Sequence, residues 1–185
     1  MNQGRQKDNS TDSWMFYNEM AGSYDRMTDW NHRLERARDF VGKLVDAYDI
    51  RSAVDAACGT GVYALALAEK KVQSYGLDIS GGMLEQAERN AGEVGVHGVE
   101  WRETPMENMD KHFEPGELDL VLCMGNSLPH LTRKKQFQDV VEGFRSVLRN
   151  DGLLVLQLLN YERIHRTRER IVSIDRSDAE EYVRF

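Results

Sequence analysis

The feature that most constrains the fold is a glycine turn between two short apolar segments. The segment 53–57 runs directly into a Cys-Gly-Thr-Gly turn at 58–61, and a second apolar segment, 72–77, follows a stretch with helical periodicity. Asp78 comes directly after that second segment. A buried strand, a tight turn, an amphipathic helix and a second strand form the first half of a nucleotide-binding α/β unit. The sequence therefore predicts an α/β fold with a doubly wound, mostly parallel sheet.

Two glycines and an acid in this unit predict a pocket for a nucleoside. Gly59 and Gly61 lack the Cβ atoms that would block the approach of a ligand to the turn backbone. The helix that follows directs its electropositive, amide-bearing N-terminus at the same place. Asp78 ends the neighbouring strand, where a carboxylate can accept two hydrogen bonds from the vicinal hydroxyls of a ribose. We therefore expect a nucleoside-containing cofactor at the carboxyl edge of the sheet.

Two cofactor classes fit this pattern. Residues 59–64 follow the G-x-G-x-x-A form of the dinucleotide fingerprint, which leaves an NAD-dependent oxidoreductase open. Asp55 precedes the first glycine by four residues and can hold amides of the loop or the amino group of a ligand. The acid-x-x-x-Gly-x-Gly turn followed by Asp78 resembles the class I S-adenosylmethionine-dependent methyltransferases. That resemblance implies S-adenosyl-L-methionine as the cofactor and S-adenosyl-L-homocysteine as its product.

Composition bounds what else the chain can be. Its 185 residues suit one domain, and a composition of 41% hydrophobic and 30% charged residues is typical of a globular protein. No apolar run approaches the roughly 20 residues of a membrane helix, and the N-terminus has no apolar secretory core, so we expect a cytoplasmic protein with no membrane partner. A net charge of -7 disfavours binding to a phosphate backbone, so no nucleic acid partner is expected.

The cysteine and histidine spacings predict no metal site. Cys58 and Cys123 are too far apart for a C-x-x-C pair and too few for a disulfide framework, so reduced and buried thiols are expected. No H-E-x-x-H motif or other ligand-spaced cluster occurs in the sequence. A structural or catalytic metal ion is therefore not expected.

The first fifty residues are predicted to cover the pocket. An aromatic cluster that includes Tyr17 and Tyr24 precedes a helix whose apolar residues from Leu34 to Tyr48 follow the helical period. In the resembling methyltransferases such a segment folds over the cofactor, which makes both tyrosines candidate contacts with cofactor or substrate. Arg33 can pair with the cofactor carboxylate. The alternatives are that the aromatic side chains only fasten the helix to the domain and that the arginine is solvated.

The segments after the second and third strands complete the implied cofactor site. The resemblance places Ile79 and Met83 near the adenosine and the loop after residue 102 at the adenine edge. The family often has an aspartate where Thr104 or Pro105 stands, so base recognition is expected from the Thr104 hydroxyl and the Met106 amide instead. The implied cofactor contacts are Tyr24, Arg33, Asp55, Ala57, Cys58, Gly59, Gly61, Asp78, Ile79, Met83, Thr104, Pro105, Met106, Met124, Gly125 and Asn126.

The loop after the fourth strand is expected to border the methyl acceptor. A continuous apolar run at 118–124 predicts a central parallel strand, and ligands of such sheets lie beyond the carboxyl ends of the strands. The Gly-Asn-Ser-x-x-His-Leu pattern at 125–131 is similar to a segment of glycine and sarcosine N-methyltransferases, which implies a small amine as the acceptor. Asn126 can orient an amine and His130 can accept a proton near neutral pH, so both are expected catalytic residues. A histidine that only fixes the turn is the alternative.

The element that follows the fifth strand modifies this substrate prediction. A helix over 132–149 and a strand over 153–159 lead to Asn160-Tyr161, again similar to the glycine N-methyltransferases. Those enzymes carry an arginine directly before the Asn-Tyr pair to hold the substrate carboxylate, whereas Leu159 stands here. Because an apolar side chain cannot pair with a carboxylate, glycine itself is not expected as the acceptor.

Three segments are expected along the chain. They are a helical cover at 1–50, an α/β core at 51–160 that binds S-adenosylmethionine, and the start of a substrate-side insertion at 161–185 with short strands at 171–174 and 182–185. The class I fold has two further strands, so we expect a shortened chain that lacks them. One alternative is that a partner subunit completes the sheet edge, which leaves a homodimer open. Another is a cofactor-binding module that is inactive without a missing C-terminal part.

Overall fold

The computed structural model describes residues 9–168, 173–176 and 181–184, and a parallel sheet forms its centre. The strands of this sheet are β1 Ser52–Ala56, β2 Gln73–Asp78, β3 Val99–Glu103, β4 Leu118–Cys123 and β5 Leu148–Leu156. They lie in the order β3-β2-β1-β4-β5, and every neighbouring pair is parallel. All carboxyl ends therefore meet at one edge, and the strand order reverses between β1 and β4.

Helices cover both faces of the sheet. The α-helices are α1 Asn9–Met27, α2 Trp30–Ala47, α3 Val62–Glu69, α4 Gly81–Val94, α5 Lys134–Val147 and α6 Tyr161–Thr167, with 3-10 helices at Met106–Lys111 and Leu128–His130. Leu34 of α2 and Leu65 of α3 belong to a buried cluster on one face, and Phe144 of α5 packs with Met109 in a second cluster on the other. The doubly wound architecture expected from the sequence is confirmed.

The central position of β4 explains its unbroken apolar sequence. Leu120 and Leu122 pack into the cluster with α2 and α3, whereas Val121 and Cys123 pack into the cluster with α5. Successive side chains of a strand point to opposite faces, and neither face of this strand meets water. The predicted central strand is therefore confirmed.

The last strand of this sheet starts and ends earlier than the sequence predicts. β5 begins at Leu148, directly after α5, whereas the predicted strand spans 153–159. Asp151 has a φ of +65°, and the register with β4 shifts in this part, so the predicted end of the helix lies inside the strand as an irregularity. The strand ends at Leu156, where its pairing with β4 stops.

The expected helical cover contains a second helix before the predicted amphipathic one. α2 confirms the expected amphipathic helix, but α1 also spans the aromatic segment before it. α1 packs against α4 through Asn18, Ala21 and Asp25, which share one face at helical spacing. Because two of these three residues are polar, no apolar period marks the helix in the sequence.

A short hairpin lies near the end of the chain. β6 Ser173–Arg176 and β7 Glu181–Arg184 pair antiparallel in a sheet of their own. They overlap the short strands predicted at 171–174 and 182–185, of which residues 171, 172 and 185 lie outside the described residues. Within the described part of the chain, no helix has both the length and the apolarity that a membrane span requires.

Candidate functional site

The glycine turn between β1 and α3 contains two glycines with different surroundings. Both have a positive φ, +54° at Gly59 and +88° at Gly61, which residues with a side chain rarely adopt. A Cβ at Gly59 would meet no atom within 4 Å, so this side of the turn is open. A Cβ at Gly61 would lie 2.7 Å from Cη2 of Trp101. The missing side chain therefore leaves open space at Gly59, whereas at Gly61 it makes room for the packing of Trp101.

Asp78, at the carboxyl end of β2, holds this turn. Its Oδ2 accepts a hydrogen bond from the Gly59 amide at 2.8 Å, and its Oδ1 accepts one from the Ser80 amide at 2.9 Å. Burial raises the pKa of this carboxyl, and the backbone amides that donate to it act in the opposite direction. Each oxygen keeps a second lone pair, so the carboxylate that fixes the turn can also accept a hydrogen bond from a ligand.

Asp55 is a buried acid in β1. Neither of its carboxylate oxygens has a hydrogen-bond partner among the described residues. Burial raises its pKa to about 8, the charge of Asp78 adds to the rise, and the Arg33 guanidinium opposes it. Burying a carboxyl group without a partner is costly. This position therefore suits a cationic ligand group such as an amine.

α1 brings two tyrosines over this edge of the sheet. The Tyr17 hydroxyl lies 3.2 Å from Nε2 of His130, and the two rings meet edge to face at a centroid distance of 5.9 Å. Tyr24 meets Tyr17 at 6.4 Å, and the Arg33 guanidinium lies 5.8 Å from the centroid of the Tyr24 ring. Burial raises the pKa of Tyr17, as do the neighbouring Tyr24 and Asp78. Tyr17 is therefore close both to the acid of β2 and to the loop after β4.

Polar contacts that were not predicted dock α1 beside the site. Asn18 Oδ1 accepts hydrogen bonds from the Ser80 hydroxyl at 2.5 Å and from the Gly82 amide at 3.0 Å. Asp25 Oδ2 accepts one from Asn90 Nδ2 at 2.9 Å. Asn18 and Asp25 lie two turns apart on the same face of α1. The spacing of small and polar residues along this helix is the sequence signal that could have indicated its docking face.

The loop after β4 and the segment after β5 are joined through Asn126. Its amide nitrogen donates to the Tyr161 hydroxyl at 2.6 Å, and that hydroxyl donates to Asn126 Oδ1 at 2.9 Å. The Leu159 amide donates to the same oxygen at 3.2 Å. The Gly125 amide donates to the Gln157 side chain at 3.3 Å. The structure thus brings together the two elements that carry the resemblance to glycine N-methyltransferases. Both lone pairs of the Asn126 oxygen and one of its two amide hydrogens are used in this junction.

Comparison with known proteins assigns the family. A family model described as a methyltransferase domain matches residues 53–152, more than half of the chain. The chain belongs to this methyltransferase family. Its cofactor is S-adenosylmethionine, as the resemblance implies, and the comparisons do not support the NAD alternative. Nothing in the comparisons supports the alternative of an inactive cofactor-binding module.

Relatives of this methyltransferase include enzymes named for amine substrates. The glycine/sarcosine N-methyltransferase of Parasynechococcus marenigrum is 33% identical over 153 residues, which are 80% of this chain and 52% of that protein. The glycine N-methyltransferase of Oryctolagus cuniculus is 30% identical over 147 residues, which are 74% of this chain and 50% of the relative. The chain therefore spans about half the length of these curated relatives.

A solved structure shares the fold of this methyltransferase. The S-adenosylmethionine-dependent methyltransferase of Clostridium acetobutylicum superposes with a TM-score of 0.68 at 19% identity. The match covers 88% of this chain and 65% of the other one. The parallel sheet with its helices on both faces is thus the architecture of known S-adenosylmethionine-dependent enzymes.

The residues at the turn fit this cofactor. S-adenosylmethionine joins an amino acid group and a nucleoside through a sulfonium. Asp55 offers a buried carboxyl group with no hydrogen-bond partner among the described residues, and an amino group bound there would favour its ionised form. Asp78 offers acceptor lone pairs at the end of β2, and Gly59 leaves open space against the turn backbone. Two acids and one uncovered glycine within the same short unit are compatible with a ligand that has both a ribose and an ammonium group.

Five other predicted cofactor contacts lie near this edge with different exposure. Ala57 has a φ of +61° directly before the turn. Met83 is 2% exposed, and Cys58 and Met124 are each 7% exposed, as core residues are, whereas Ile79 is 38% exposed. Contacts with the cofactor stay predictions for all of them, and Ile79 alone in this group offers a large apolar side chain that is still uncovered.

In the loop after β3, the Thr104 side chain and amide already have partners within the chain. The Thr104 hydroxyl lies 3.1 Å from Nε2 of His112, and the Thr104 amide donates to the Asp78 carbonyl at 2.8 Å. The buried hydroxyl predicted to recognise the adenine is therefore already paired within the chain. Pro105 and Met106 are partly exposed beside it, so the Met106 amide remains the expected contact of this loop. His112 has no motif in the sequence that predicts its contact with Thr104.

The two thiols behave as core groups. Cys58 and Cys123 are both free and buried, as predicted. Burial raises the pKa of Cys123 to about 12 and that of Cys58 well above its ordinary value, with smaller contributions from the nearby acids. Both thiols are therefore protonated and poor nucleophiles. In the part of the chain that the structure describes, no His, Cys, Asp and Glu side chains cluster as metal ligands would.

Proposed function

We propose that this methyltransferase transfers the methyl group of S-adenosylmethionine to the nitrogen of a small-molecule amine. The observation that carries the proposal is the junction of Asn126 with Tyr161, which joins the segments after β4 and β5 at the same carboxyl edge of the sheet at which Asp78 holds the glycine turn. Open α/β sheets bind their ligands at this edge. The relatives named glycine and sarcosine N-methyltransferases support an amine as the acceptor.

Residues at the carboxyl ends of β1 and β2 would hold the cofactor. Asp78 would accept hydrogen bonds from the ribose, Asp55 from the amino group, and Arg33 would pair with the carboxylate. Gly59 would let the ligand approach the turn backbone. When bound, the cofactor supplies a methyl group that is already electrophilic. The residues of this chain therefore need only to align the acceptor behind that methyl and exclude water.

Asn126 and His130 would serve the acceptor. Asn126 fixes Tyr161 with its oxygen and one amide hydrogen, and its second amide hydrogen can orient the acceptor. His130 is exposed and contacts the Tyr17 hydroxyl, so it is open to an amine that enters from solvent. Methylation leaves the acceptor nitrogen with one proton too many for a neutral product. We assign the removal of that proton to His130.

Leu159 favours an amine without a carboxylate. Its amide is bonded to Asn126, so its side chain, 37% exposed, stands beside the acceptor loop. An apolar side chain offers no charge to pair with a carboxylate, which would lose its hydration without compensation. We therefore propose that amines without a carboxylate are better acceptors than glycine or sarcosine.

The same proposal covers the organisation of the enzyme. We keep the division into a cover at 1–50, a cofactor-binding core at 51–160 and a substrate-side segment at 161–185, which the contacts of Tyr17 and Tyr161 support. The net charge of -7 supports a small molecule rather than a nucleic acid as the partner. A cytoplasmic location and a homodimer stay predictions, and sedimentation analysis would test the second.

Calorimetric titration followed by a turnover assay tests the proposed function. We expect micromolar binding of S-adenosylhomocysteine, no binding of NAD, and accumulation of S-adenosylhomocysteine when an amine without a carboxylate is supplied with S-adenosylmethionine. Leu159→Arg is the matched variant, and it should shift the preference towards glycine. Cofactor binding without turnover on any amine would contradict the amine proposal. Equal turnover of glycine by both proteins would contradict the role of Leu159.

A further inference from the structure

A buried asparagine joins the cover helix to the glycine turn. Asn90 lies on α4 and is 3% exposed. Its Nδ2 donates to the Thr60 carbonyl at 3.1 Å and to Asp25 Oδ2 at 2.9 Å. Its Oδ1 accepts a hydrogen bond from Gln86 Nε2 at 3.0 Å. Both amide hydrogens and the carbonyl are therefore used, by the turn, by α1 and by α4 itself.

The two acceptors of Asn90 belong to different parts of the site. Thr60 lies between the two glycines of the turn, and its buried hydroxyl has no partner among the described residues. Asp25 belongs to α1, the helix from which Tyr17 contacts His130 in the loop after β4. Because a single nitrogen serves both acceptors, a rotation of the Thr60 peptide or an outward movement of α1 disturbs the same buried side chain. A buried amide that loses one partner is costly, so the two parts favour their present arrangement together.

We propose that Asn90 is a positioning residue that couples the docking of α1 to the shape of the glycine turn. The inference rests on the proposed function of that turn as part of the cofactor site. Ligand binding at the turn then favours docked α1, and docked α1 raises ligand affinity by the same factor, because coupling between two equilibria is reciprocal. Asn90 makes no hydrogen bond to Gly59 or Asp78, so it acts through Thr60 and Asp25.

Substitutions at two positions separate the two arms of this coupling, which are the bond from Asn90 to Asp25 of α1 and the bond from Asn90 to Thr60 of the turn. Asp25→Ala removes the bond to α1 and leaves the bond to Thr60. The double variant Asp25→Asn/Asn90→Asp exchanges the groups, so the amide at position 25 can donate to the carboxylate at position 90. That exchange restores the bond to α1, but it leaves no side-chain donor for the Thr60 carbonyl. Asn90→Ala removes both arms.

Three measurements on each protein give the coupling. They are the affinity for S-adenosylhomocysteine by calorimetry, hydrogen exchange of the α1 amides with and without that ligand, and thermal unfolding. In the wild type we expect the ligand to slow exchange in α1. Asn90→Ala should bind on the order of tenfold more weakly, the effect of about one buried hydrogen bond, and the ligand should no longer protect α1.

The remaining variants should divide these effects. Asp25→Ala should speed exchange in α1 of the free protein and weaken binding by only about threefold, because the turn keeps its anchor. The exchanged pair should regain slow exchange in α1, yet it should stay about tenfold weaker in binding and lose the protection by ligand. Rescue of one arm without the other is a result that a purely structural asparagine would not produce.

The outcomes that overturn the inference differ from those that overturn the proposed function. If Asn90→Ala binds S-adenosylhomocysteine as the wild type does and only unfolds at a lower temperature, Asn90 is a structural residue and the cofactor site stands. If the wild type does not bind the ligand, the proposed function fails first. If Asn90→Ala does not fold, Asp25→Ala and the exchanged pair carry the test, since both keep a hydrogen-bonding side chain at position 90.

Discussion

The cofactor side and the acceptor side of the site are held together differently. At the end of β2 the Asp78 side chain is 9% exposed, and backbone amides of Gly59 and Ser80 donate to it. Beyond β4, Asn126 is held by the hydroxyl of Tyr161, a residue that is 47% exposed. Buried hydrogen bonds to the backbone are not in competition with water, whereas exposed side-chain bonds are. The cofactor half around Asp78 is thus held rigidly, whereas the acceptor half around Asn126 can adjust to its substrate.

The largest effect that tests this contrast should come from the open side of the turn. Gly59→Ala places a methyl group where a Cβ now meets no atom within 4 Å. We expect the affinity for S-adenosylhomocysteine to fall by about a hundredfold, because the ligand must approach this backbone closely. Calorimetric titration of both proteins measures the loss.

Gly95→Ala is the matched control for this substitution. Gly95 has a φ of +67°, its Cβ direction is equally open, and it ends α4 away from the turn. Both variants should lose roughly 1 kcal/mol of stability, because alanine is strained at a positive φ. Only Gly59→Ala should lose binding, and equal binding by the two variants would place Gly59 outside the site.

The second effect concerns the unpaired acid of β1. Asp55→Asn keeps the shape of the side chain but removes the charge that an ammonium group would meet. We expect binding of S-adenosylhomocysteine to weaken by roughly thirtyfold, within the range of a lost charge-assisted hydrogen bond. In the wild type the affinity should rise as the pH approaches 8, because binding a cation favours the ionised form of a carboxyl whose pKa is about 8. In the variant this rise should be absent.

The same substitution should stabilise the free protein. The pKa of Asp55 is about 8 in the folded chain, far above the value of about 4 in an unfolded one, so folding takes up a proton. The carboxyl therefore lowers stability increasingly as the pH rises from 4 towards 8, and Asp55→Asn removes that cost. The melting temperature of the variant should exceed that of the wild type by an amount that grows over this range and vanishes below about pH 4. A variant that is less stable at pH 8 would mean that the charge of Asp55 has a structural partner.

Asp55 and Asp78 belong to the part of the site that could be predicted from the sequence. The unit from β1 to Asp78 was predictable almost to the residue, because apolar alternation, a glycine turn and an acid at a strand end are local patterns. The loop of Asn126 was likewise predictable by its resemblance to a family. In contrast, the pairing of Asn126 with Tyr161 joins residues 35 positions apart, and no local pattern encodes such a contact.

The features that the sequence did not predict have a common physical origin. A helical cover over 1–50 was expected, but α1 could not be delimited as a separate helix, because it docks through Asn18 and Asp25 rather than through an apolar stripe. The bounds of β5 were wrong because an irregular register with β4, and not a turn, accommodates the polar residues near Asp151. The contact of the Thr104 hydroxyl with His112 could not be predicted either, because it lies across a loop. In each case a tertiary contact outweighed what the neighbouring sequence suggested.

A third prediction addresses the acceptor side. Tyr161→Phe removes both hydrogen bonds between the Tyr161 hydroxyl and Asn126. Since these bonds are exposed, we expect turnover of an amine to fall only about fivefold, with unchanged affinity for S-adenosylhomocysteine. Tyr48→Phe, at an exposed tyrosine that ends α2, is the control and should change neither quantity. A loss of cofactor affinity in Tyr161→Phe would show that the two halves are not separable.

The smallest effect should come from the contact that links the halves. Tyr17 belongs to the cover helix and His130 to the acceptor loop, and their polar atoms lie 3.2 Å apart at an exposed position. A double-mutant cycle of Tyr17→Phe and His130→Ala should give a coupling of about 0.5 kcal/mol, roughly twofold, in turnover. The same cycle in cofactor affinity should give none, because His130 lies on the acceptor side. A coupling that appears in affinity and not in turnover would assign Tyr17 and His130 to the cofactor. The loop after β4 would then belong to the fixed half of the site and not to the adjustable half.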